Sequence, residues 1–459
     1  MVRTTQYRHI FGEVVGQSQF YTDLKPANNA VMSHTIRANK TYFSIGLEGT
    51  GGRLGVFPLS NTGRLNKPIP CIETGFDVHD FDFHSFQDNV MATGGDSGAV
   101  QVWTIPEGGL ASLKSNLTTP TIQLLAHGGK INTIDFHPSA NNVLASTATD
   151  NKIILWDIQS EQPQVTIPNT DATINITWNA TGTVLAASNK DNKILIYDVR
   201  TRTPSSEGEG LGGTKGTRIE WIGGKNQIFA IGFTKESNER RYKLMDTRMM
   251  NEALYSERID YGSGVFYTHY QEGMDVIAIW GKGDSSLKFI EMSDEQPYCR
   301  YLTDYTSLTM QIGIAFLPLS VCDVKEVEFA RILKLTNENT VQPHRLFVPR
   351  TRKEYFQDDI FPPSQIRAEV PSQTAQQYFA GEEAEPLRVN LNPGLPLYSE
   401  APKIVRKMKK YKEVVEEDPT KVEEKTLDSI YNKMIEKRDA DLPLAHELNE
   451  GVDSDEWSE

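Results

Sequence analysis

Short stretches of alternating apolar and polar residues run through most of the chain and predict β-strands. Such strands recur in pairs along the body of the sequence, at 43–48 with 53–58, 227–233 with 242–246, 276–280 with 287–290, and 312–316 with 330–335. A helical period occurs only later, where apolar residues form one stripe at Leu427, Ile430, Tyr431, Met434 and Ile435. The pattern therefore predicts an all-β body followed by a short amphipathic helix.

The body also repeats itself. Residues 143–157 and 184–198 are near copies with an offset of 41 positions, and residues 90–103 form a third copy. An insertion near 106–120 explains the longer spacing after the third copy. Seven four-stranded units of roughly 40–45 residues would occupy about 300 residues. We therefore predict a seven-bladed WD-repeat β-propeller over about 30–350, with the N-terminal segment supplying a strand to the last blade.

One copy carries every residue of the polar network expected inside a WD blade, namely His127, Ser146, Asp150 and Trp156. A turn carboxylate, a histidine, a hydroxyl and an indole N–H can satisfy one another in a single hydrogen-bonded chain. The neighbouring copies differ, since Tyr197 replaces the tryptophan after Asp191, and Ser97 stands where the aspartate is expected. We interpret this network as structural rather than as a catalytic triad.

Composition limits the possible functions. The chain has 459 residues, of which 38% are hydrophobic, and this is enough apolar material to exclude full disorder. Its three cysteines lack paired spacing, so we expect buried packing residues and neither a disulfide framework nor a metal site. Nucleotide-loop, metalloprotease and nucleophile-elbow motifs are lacking, so we expect no enzyme and no cofactor. The sequence also predicts no nucleic-acid partner, no signal peptide, no transmembrane segment and an intracellular location.

The net charge of −14 is concentrated near the end of the sequence. Residues 413–459 hold 16 acidic and 5 basic side chains, which leaves a net charge of only −3 for residues 1–412. Six cations lie between 403 and 412, and Pro419 interrupts a heptad pattern after about two repeats, which is too short for a stable coiled coil. The charge pattern, together with the propeller and the motifs described next, divides the chain into a propeller at 1–350, an extension at 351–400, a charged linker at 401–425, and a helix with an acidic tail at 426–459.

Several ordered motifs resemble those of the coronins, a family of actin-binding WD-repeat proteins. The matching stretches are 6–12 (Gln-Tyr-Arg-His-Ile-Phe-Gly), 21–25 (Tyr-Thr-Asp-Leu-Lys), 105–110, 281–286, 294–298, 328–331, 348–350 and 356–362. The resemblance implies a protein of the cytoplasm, the actin cytoskeleton and the cell cortex that binds F-actin, with small GTPases as a further partner class. It also implies that the extension after 350 docks on one face of the propeller.

The same resemblance suggests where the filament would bind. In coronins the basic residue of the motif at 21–25 contributes to binding of filamentous actin, and Lys25 occupies that position here. Arg8 lies in the other N-terminal motif and is a second, lower-ranked candidate. The alternative interpretation of Lys25 is an ordinary solvated surface charge.

The acidic tail has one aromatic residue, which is unusual for a disordered segment. Asp453, Asp455, Glu456 and Trp457 resemble the acidic-tryptophan motif with which activators of branched-actin nucleation bind the actin-related protein 2/3 complex. A similar tail occurs in coronins with tandem propellers. The alternatives are a solubilising tail and, for the whole chain, a general WD-repeat scaffold for multiprotein assembly.

Overall fold

Seven sheets, antiparallel except for one short parallel pair, form the propeller, and their innermost strands contact one another around a central axis in a computed structural model of the chain. The structure describes residues 5–7, 9–27, 33–65, 68–271, 273–365, 370–402 and 428–429. Six sheets have four strands each, and the seventh contains additional short strands from the N-terminal segment and from 63–64. The predicted seven-bladed propeller is therefore confirmed.

The first six blades follow one another along the chain, each from its innermost to its outermost strand. Their strands are, for blade 1, Ile36–Ala38, Tyr42–Leu47, Arg53–Pro58 and Ile72–Glu73; for blade 2, Val78–Phe83, Val90–Gly95, Ala99–Thr104 and Ile122–Leu125; for blade 3, Ile131–Phe136, Val143–Ala148, Lys152–Asp157 and Gln162–Pro168; for blade 4, Thr173–Trp178, Val184–Asn189, Lys193–Asp198 and Thr203–Glu209; for blade 5, Gly212–Trp221, Gln227–Thr234, Arg240–Asp246 and Met249–Asp260; and for blade 6, Phe266–Gln271, Val276–Gly281, Ser286–Met292 and Cys299–Thr306.

Blade 7 closes the ring by joining the two ends of the propeller sequence. Its first three strands are Gln311–Phe316, Glu328–Thr336 and Val341–Phe347. The N-terminal strand Phe11–Val14 pairs antiparallel with the third of these, and Tyr21–Thr22 continues the pairing. The predicted closure by the N-terminal segment is present, and it leaves fewer unpaired strand edges than an open ring would.

The tight turns between the second and third strands explain part of the repeat sequence. Asn151 in blade 3 and Asn192 in blade 4 occupy equivalent positions and have φ angles of 57° and 67°. Gly98 has the equivalent position in blade 2, with a φ angle of 73°. Because asparagine and glycine tolerate this left-handed conformation better than other residues, the turn chemistry fixes how each pair of strands meets.

The hydrophobic core lies between neighbouring blades. In one cluster, Val143 and Leu155 of blade 3 pack with Trp178 and Leu185 of blade 4, and each of these side chains is at most 3% exposed. Burying a large apolar side chain contributes about 1.5–3 kcal/mol relative to leaving it exposed. The three cysteines are buried and unpaired, as the sequence predicted.

The insertion after blade 2 has a structural role in blade 1. It contains the short 3-10 helix Leu110–Ser112 and then runs beside the outer strand of blade 1. Leu117 exchanges backbone hydrogen bonds with that strand, donating to Cys71 O and accepting from Glu73 N, both at 2.9 Å. The insertion therefore supplements an outer strand of only two residues.

The extension after the last blade crosses one face of the propeller. It begins against blades 6 and 7, where Phe356 is 2% exposed. The helix Ala375–Phe379 then packs on blades 3 and 4, and the Tyr378 hydroxyl donates to Gly182 O at 2.9 Å. After the helix, the strand Arg388–Val389 pairs with Ser364–Gln365, which precedes the helix, and the 3-10 helix Tyr398–Glu400 follows. Two other short 3-10 helices are Gln17–Gln19 and Leu319–Val321.

The predicted helix and acidic tail lie almost wholly outside the described residues. Only 428 and 429 of that segment are described, and both are helical. Across the described ranges, none of the helices has the length and apolar character needed to cross a bilayer. The division of the chain at 350, 400 and 425 stays a prediction.

Candidate functional site

The structure brings the four predicted WD residues of blade 3 together in one hydrogen-bonded chain. The Trp156 indole N–H donates to Ser146 Oγ at 2.7 Å, and Ser146 Oγ lies 2.8 Å from His127 Nε2. His127 Nδ1 in turn lies 3.1 Å from Asp150 Oδ1. Burial lowers the pKa of His127, which favours the neutral ring that this donor and acceptor order requires. The network holds the turn, the entry loop and the third strand of the blade together.

Blade 4 has a different network around Asp191. Its carboxylate accepts from Thr170 Oγ1 at 3.1 Å and from Lys193 N at 3.1 Å. Asn169 takes the part of the histidine and accepts a 2.8 Å hydrogen bond from the hydroxyl of Tyr197. The replacement of tryptophan by tyrosine in the sequence was the signal for this exchange, because a phenol reaches further than an indole N–H.

Between blades 5 and 6 the structure shows an ion-pair site that the sequence did not reveal. The Arg240 side chain is 4% exposed and contacts two carboxylates, Asp260 of its own blade and Asp284 of blade 6, the latter at 2.8 Å. Its guanidinium also lies 4.2 Å from the centroid of the Phe266 ring. The carboxylate partners hold the pKa of Arg240 above its usual value although burial opposes this. Asp284 belongs to the motif at 281–286, so this motif forms an ion pair that connects blades 5 and 6.

The inner strands line a central cavity of about 290 Å³, which contains carboxylates and arginines. Side chains of the inner strands also bond to the backbone of the next blade. Asp80 accepts from Ile134 N at 3.1 Å, and Asn175 accepts from Ile219 N at 2.8 Å. These polar groups therefore join neighbouring blades. Among the described residues, no group of three or more histidine, cysteine or acidic side chains is arranged to hold a metal ion.

Two buried histidines predict how stability depends on pH. Burial lowers the pKa of His84 and of His344 to about 4, and His84 Nδ1 accepts from the backbone N–H groups of Phe86 and Gln87. Histidine in the unfolded chain titrates near 6.5, so the unfolded state binds more protons between about pH 6.5 and pH 4. We expect the urea midpoint of unfolding to fall as the pH is lowered through this window.

The contribution of one histidine can be separated from the rest. Since His344 is fully buried and is bonded to the Tyr305 hydroxyl at 2.7 Å, a His344→Gln variant keeps an acceptor but cannot titrate. Its midpoint is expected to depend less steeply on pH than that of the unchanged protein. A His344→Gln midpoint that falls between pH 7 and pH 4.5 as steeply as that of the unchanged protein would contradict this prediction.

Lys25 lies on a short segment that is anchored on both sides. Tyr21 and Leu24 are each 2% exposed, and the Tyr21 hydroxyl donates to Leu59 O at 2.7 Å. Lys25 itself is exposed, and its carbonyl accepts from Glu48 N at 2.8 Å. The motif therefore presents a cation on a fixed backbone next to blade 1.

The other predicted site residues cannot be placed. Arg8 lies outside the described residues, as do Asp453, Asp455, Glu456 and Trp457. The segment next to Arg8 is described, and Tyr7 is buried with its hydroxyl donating to Met274 O at 2.8 Å. The roles of these five residues remain predictions.

The repeated sheets and the hydrogen-bonded network of blade 3 define the chain as a WD-repeat propeller protein. Three family models match parts of it: a domain of unknown function (DUF1899) at residues 1–64, a WD domain with the G-beta repeat at 118–157, and a type of WD40 repeat at 341–386. The match at 118–157 covers the outer strand of blade 2 and the first three strands of blade 3, whereas the match at 341–386 covers the third strand of blade 7 and part of the extension.

Individual proteins and a solved structure are similar over most of this chain. It is 34% identical over 388 residues to Coronin-like protein crn1 of Schizosaccharomyces pombe, covering 84% of this chain and 64% of that protein. It is 29% identical over 405 residues to human Coronin-2A, covering 86% and 75%, respectively. The crystal structure of the WD40 domain from Toxoplasma gondii coronin has a TM-score of 0.77 and 26% identity, covering 85% of this chain and 99% of that chain.

The chain is a homologue of the coronins, as its sequence motifs indicated. Its described part forms one propeller. The match to human Coronin-7 is 30% identical over 464 residues and covers 99% of this chain but 49% of that protein. The chain thus spans about half of the length of the coronin-7 relatives.

Proposed function

We propose that the chain is a non-enzymatic regulator of the actin cytoskeleton. The propeller binds the side of F-actin through the surface around Lys25, and the acidic tail with Trp457 binds the actin-related protein 2/3 complex. The exposed position of Lys25 on an anchored backbone is the observation that carries the filament-binding part. Similarity to coronins over most of the chain supports the assignment. The proposed site of action is the cytoplasm at actin structures, including the cell cortex.

The chemistry of Lys25 suits a partner with an acidic surface. A lysine ammonium group is a compact point charge, so it favours encounter and attraction without the directional pairing of an arginine fork. Such a contact is screened by salt, with a Debye length of about 10 Å at 0.1 M ionic strength. Filament binding is therefore expected to weaken as salt is added.

Cosedimentation with polymerised actin tests the propeller's part. We expect Lys25→Glu to weaken filament binding by about tenfold at low salt, because the substitution replaces an attraction by a repulsion. Lys114→Glu is the matched control, since Lys114 is also exposed and the charge change is the same. Deleting 420–459 is expected to leave filament binding in place.

Three outcomes of the cosedimentation experiment would contradict the proposal. If Lys25→Glu pellets with filaments as well as the unchanged protein does, the surface around Lys25 is not the filament contact. If Lys114→Glu weakens binding equally, general charge and not this surface determines the affinity. A protein that stays wholly in the supernatant at low salt would exclude filament binding altogether.

A further inference from the structure

An exposed ion pair lies directly beside Lys25. Arg64 comes from the loop between the third and fourth strands of blade 1, and it pairs in parallel register with Thr22. Its Nε lies 2.7 Å from Asp23 Oδ2. The Arg64 side chain is 82% exposed and that of Asp23 is 29% exposed. The members of the pair are 41 positions apart, so no local pattern in the sequence indicates it.

The backbone at Asp23 has an unusual conformation. Its φ angle is 67°, in the left-handed region that aspartate and asparagine tolerate better than most residues. The bend directs Leu24 into the core, where it is 2% exposed, and leaves Lys25 at the surface. The pair with Arg64 thus involves the residue at which the segment turns.

The two cations are close enough to act on the same partner surface. Thr22 and Lys25 are three residues apart, so their Cα atoms are separated by at most about 11 Å. Paired strands lie about 5 Å apart, which places the Cα of Arg64 within about 16 Å of that of Lys25. Both side chains are long and exposed, so their charged groups can approach one acidic patch.

Lys25 and three side chains beside it form a group of four charges that cancel one another. Asp23 precedes Lys25 by two positions, and Glu48 is an exposed acidic residue bonded through its N–H to the Lys25 carbonyl. With Arg64 present, the four side chains carry two positive and two negative charges. Removing Arg64 takes one positive charge from this group and makes the potential beside Lys25 more negative, which disfavours binding of an acidic partner.

We propose that Arg64 is a second determinant of filament binding, because it neutralises Asp23 beside Lys25. The charge balance, meaning the net charge of Lys25, Asp23, Glu48 and Arg64, sets how strongly the surface attracts the acidic filament. This inference rests on the proposed filament-binding function, and it assigns Arg64 a positioning and electrostatic role next to Lys25.

A cycle of three variants tests the charge balance by cosedimentation at low salt. Arg64→Ala leaves Asp23 without this partner and is expected to weaken filament binding about threefold, the size of one unit charge acting over several ångströms of water. Asp23→Asn removes the negative charge, keeps a residue suited to the left-handed backbone, and is expected to strengthen binding by a similar factor. The double variant is expected to bind like the unchanged protein.

A second ion pair of the same type provides the control. Arg248 is 73% exposed and its Nη2 lies 2.6 Å from Asp246 Oδ2, in blade 5. Arg248→Ala is expected to leave filament binding unchanged. Thermal melting of all variants checks that each is folded.

The outcomes separate this inference from the proposed function. If Arg64→Ala, Asp23→Asn and the double variant all weaken binding, the pair has only a structural role and the charge balance is wrong. If Lys25→Glu weakens binding but Arg64→Ala does not, the inference fails while the proposed function stands. If Lys25→Glu and Arg64→Ala both bind like the unchanged protein, both fail.

Discussion

Replacing Arg240 with alanine is expected to lower the free energy of unfolding by about 3–5 kcal/mol. The Arg240 side chain is almost fully buried, and its guanidinium forms ion pairs with two partly buried carboxylates, Asp260 and Asp284. Alanine would leave both carboxylates without that cation and would remove the contact with the Phe266 ring. Because the site connects blades 5 and 6, the loss weakens an interface as well as a single blade.

The next residue along the strand supplies the matched control. The Arg241 side chain is 35% exposed, and its Nη2 lies 3.5 Å from Glu239 Oε2. An ion pair with this exposure contributes about 1 kcal/mol or less, so Arg241→Ala should change stability little. Urea or thermal unfolding followed by circular dichroism compares the two variants. Equal destabilisation by both would show that the buried pair has no special role.

Replacing Trp457 with alanine is expected to abolish capture of the actin-related protein 2/3 complex and to leave filament binding intact. An aromatic side chain among carboxylates can bury its ring in an apolar pocket while the charges guide it to a basic surface. Aromatic anchors of this kind dominate binding energy, with losses of 2 kcal/mol or more on truncation being typical, roughly thirtyfold in affinity. Pull-down of the purified complex by the immobilised protein measures the effect.

Two further variants test whether the two activities are separate. Ser458→Ala changes the neighbouring position without removing an aromatic ring or a charge, and we expect it to retain capture. Lys25→Glu should also retain capture while it loses filament binding. Capture that survives in Trp457→Ala would mean that the tail does not use this residue as an anchor.

The repeat pattern predicted the fold because the WD network is local. His127, Ser146, Asp150 and Trp156 lie within a single unit of the repeat, so their spacing alone identified the blade. The closure of the ring followed from a general physical requirement, the pairing of exposed strand edges.

Contacts between distant parts of the chain could not be predicted in the same way. Arg240 and Asp284 are 44 positions apart, and Asp23 and Arg64 are 41 apart. Nothing in either neighbourhood marks the partner, because an arginine in a strand or a loop usually lies at the surface. The motif at 21–25 identified Lys25 through family resemblance. The burial of the residues before Lys25, and the position of Arg64 beside it, are seen only in the structure.

The way blade 7 is assembled also has a consequence for synthesis of the protein. Its fourth strand, Phe11–Val14, leaves the ribosome more than 300 residues before its partner Val341–Phe347. At about 5–20 residues per second, the N-terminal strand waits for roughly a quarter of a minute or longer before it can pair. Ring closure consequently follows the synthesis of the other propeller strands, because Phe11–Val14 pairs with the last of them.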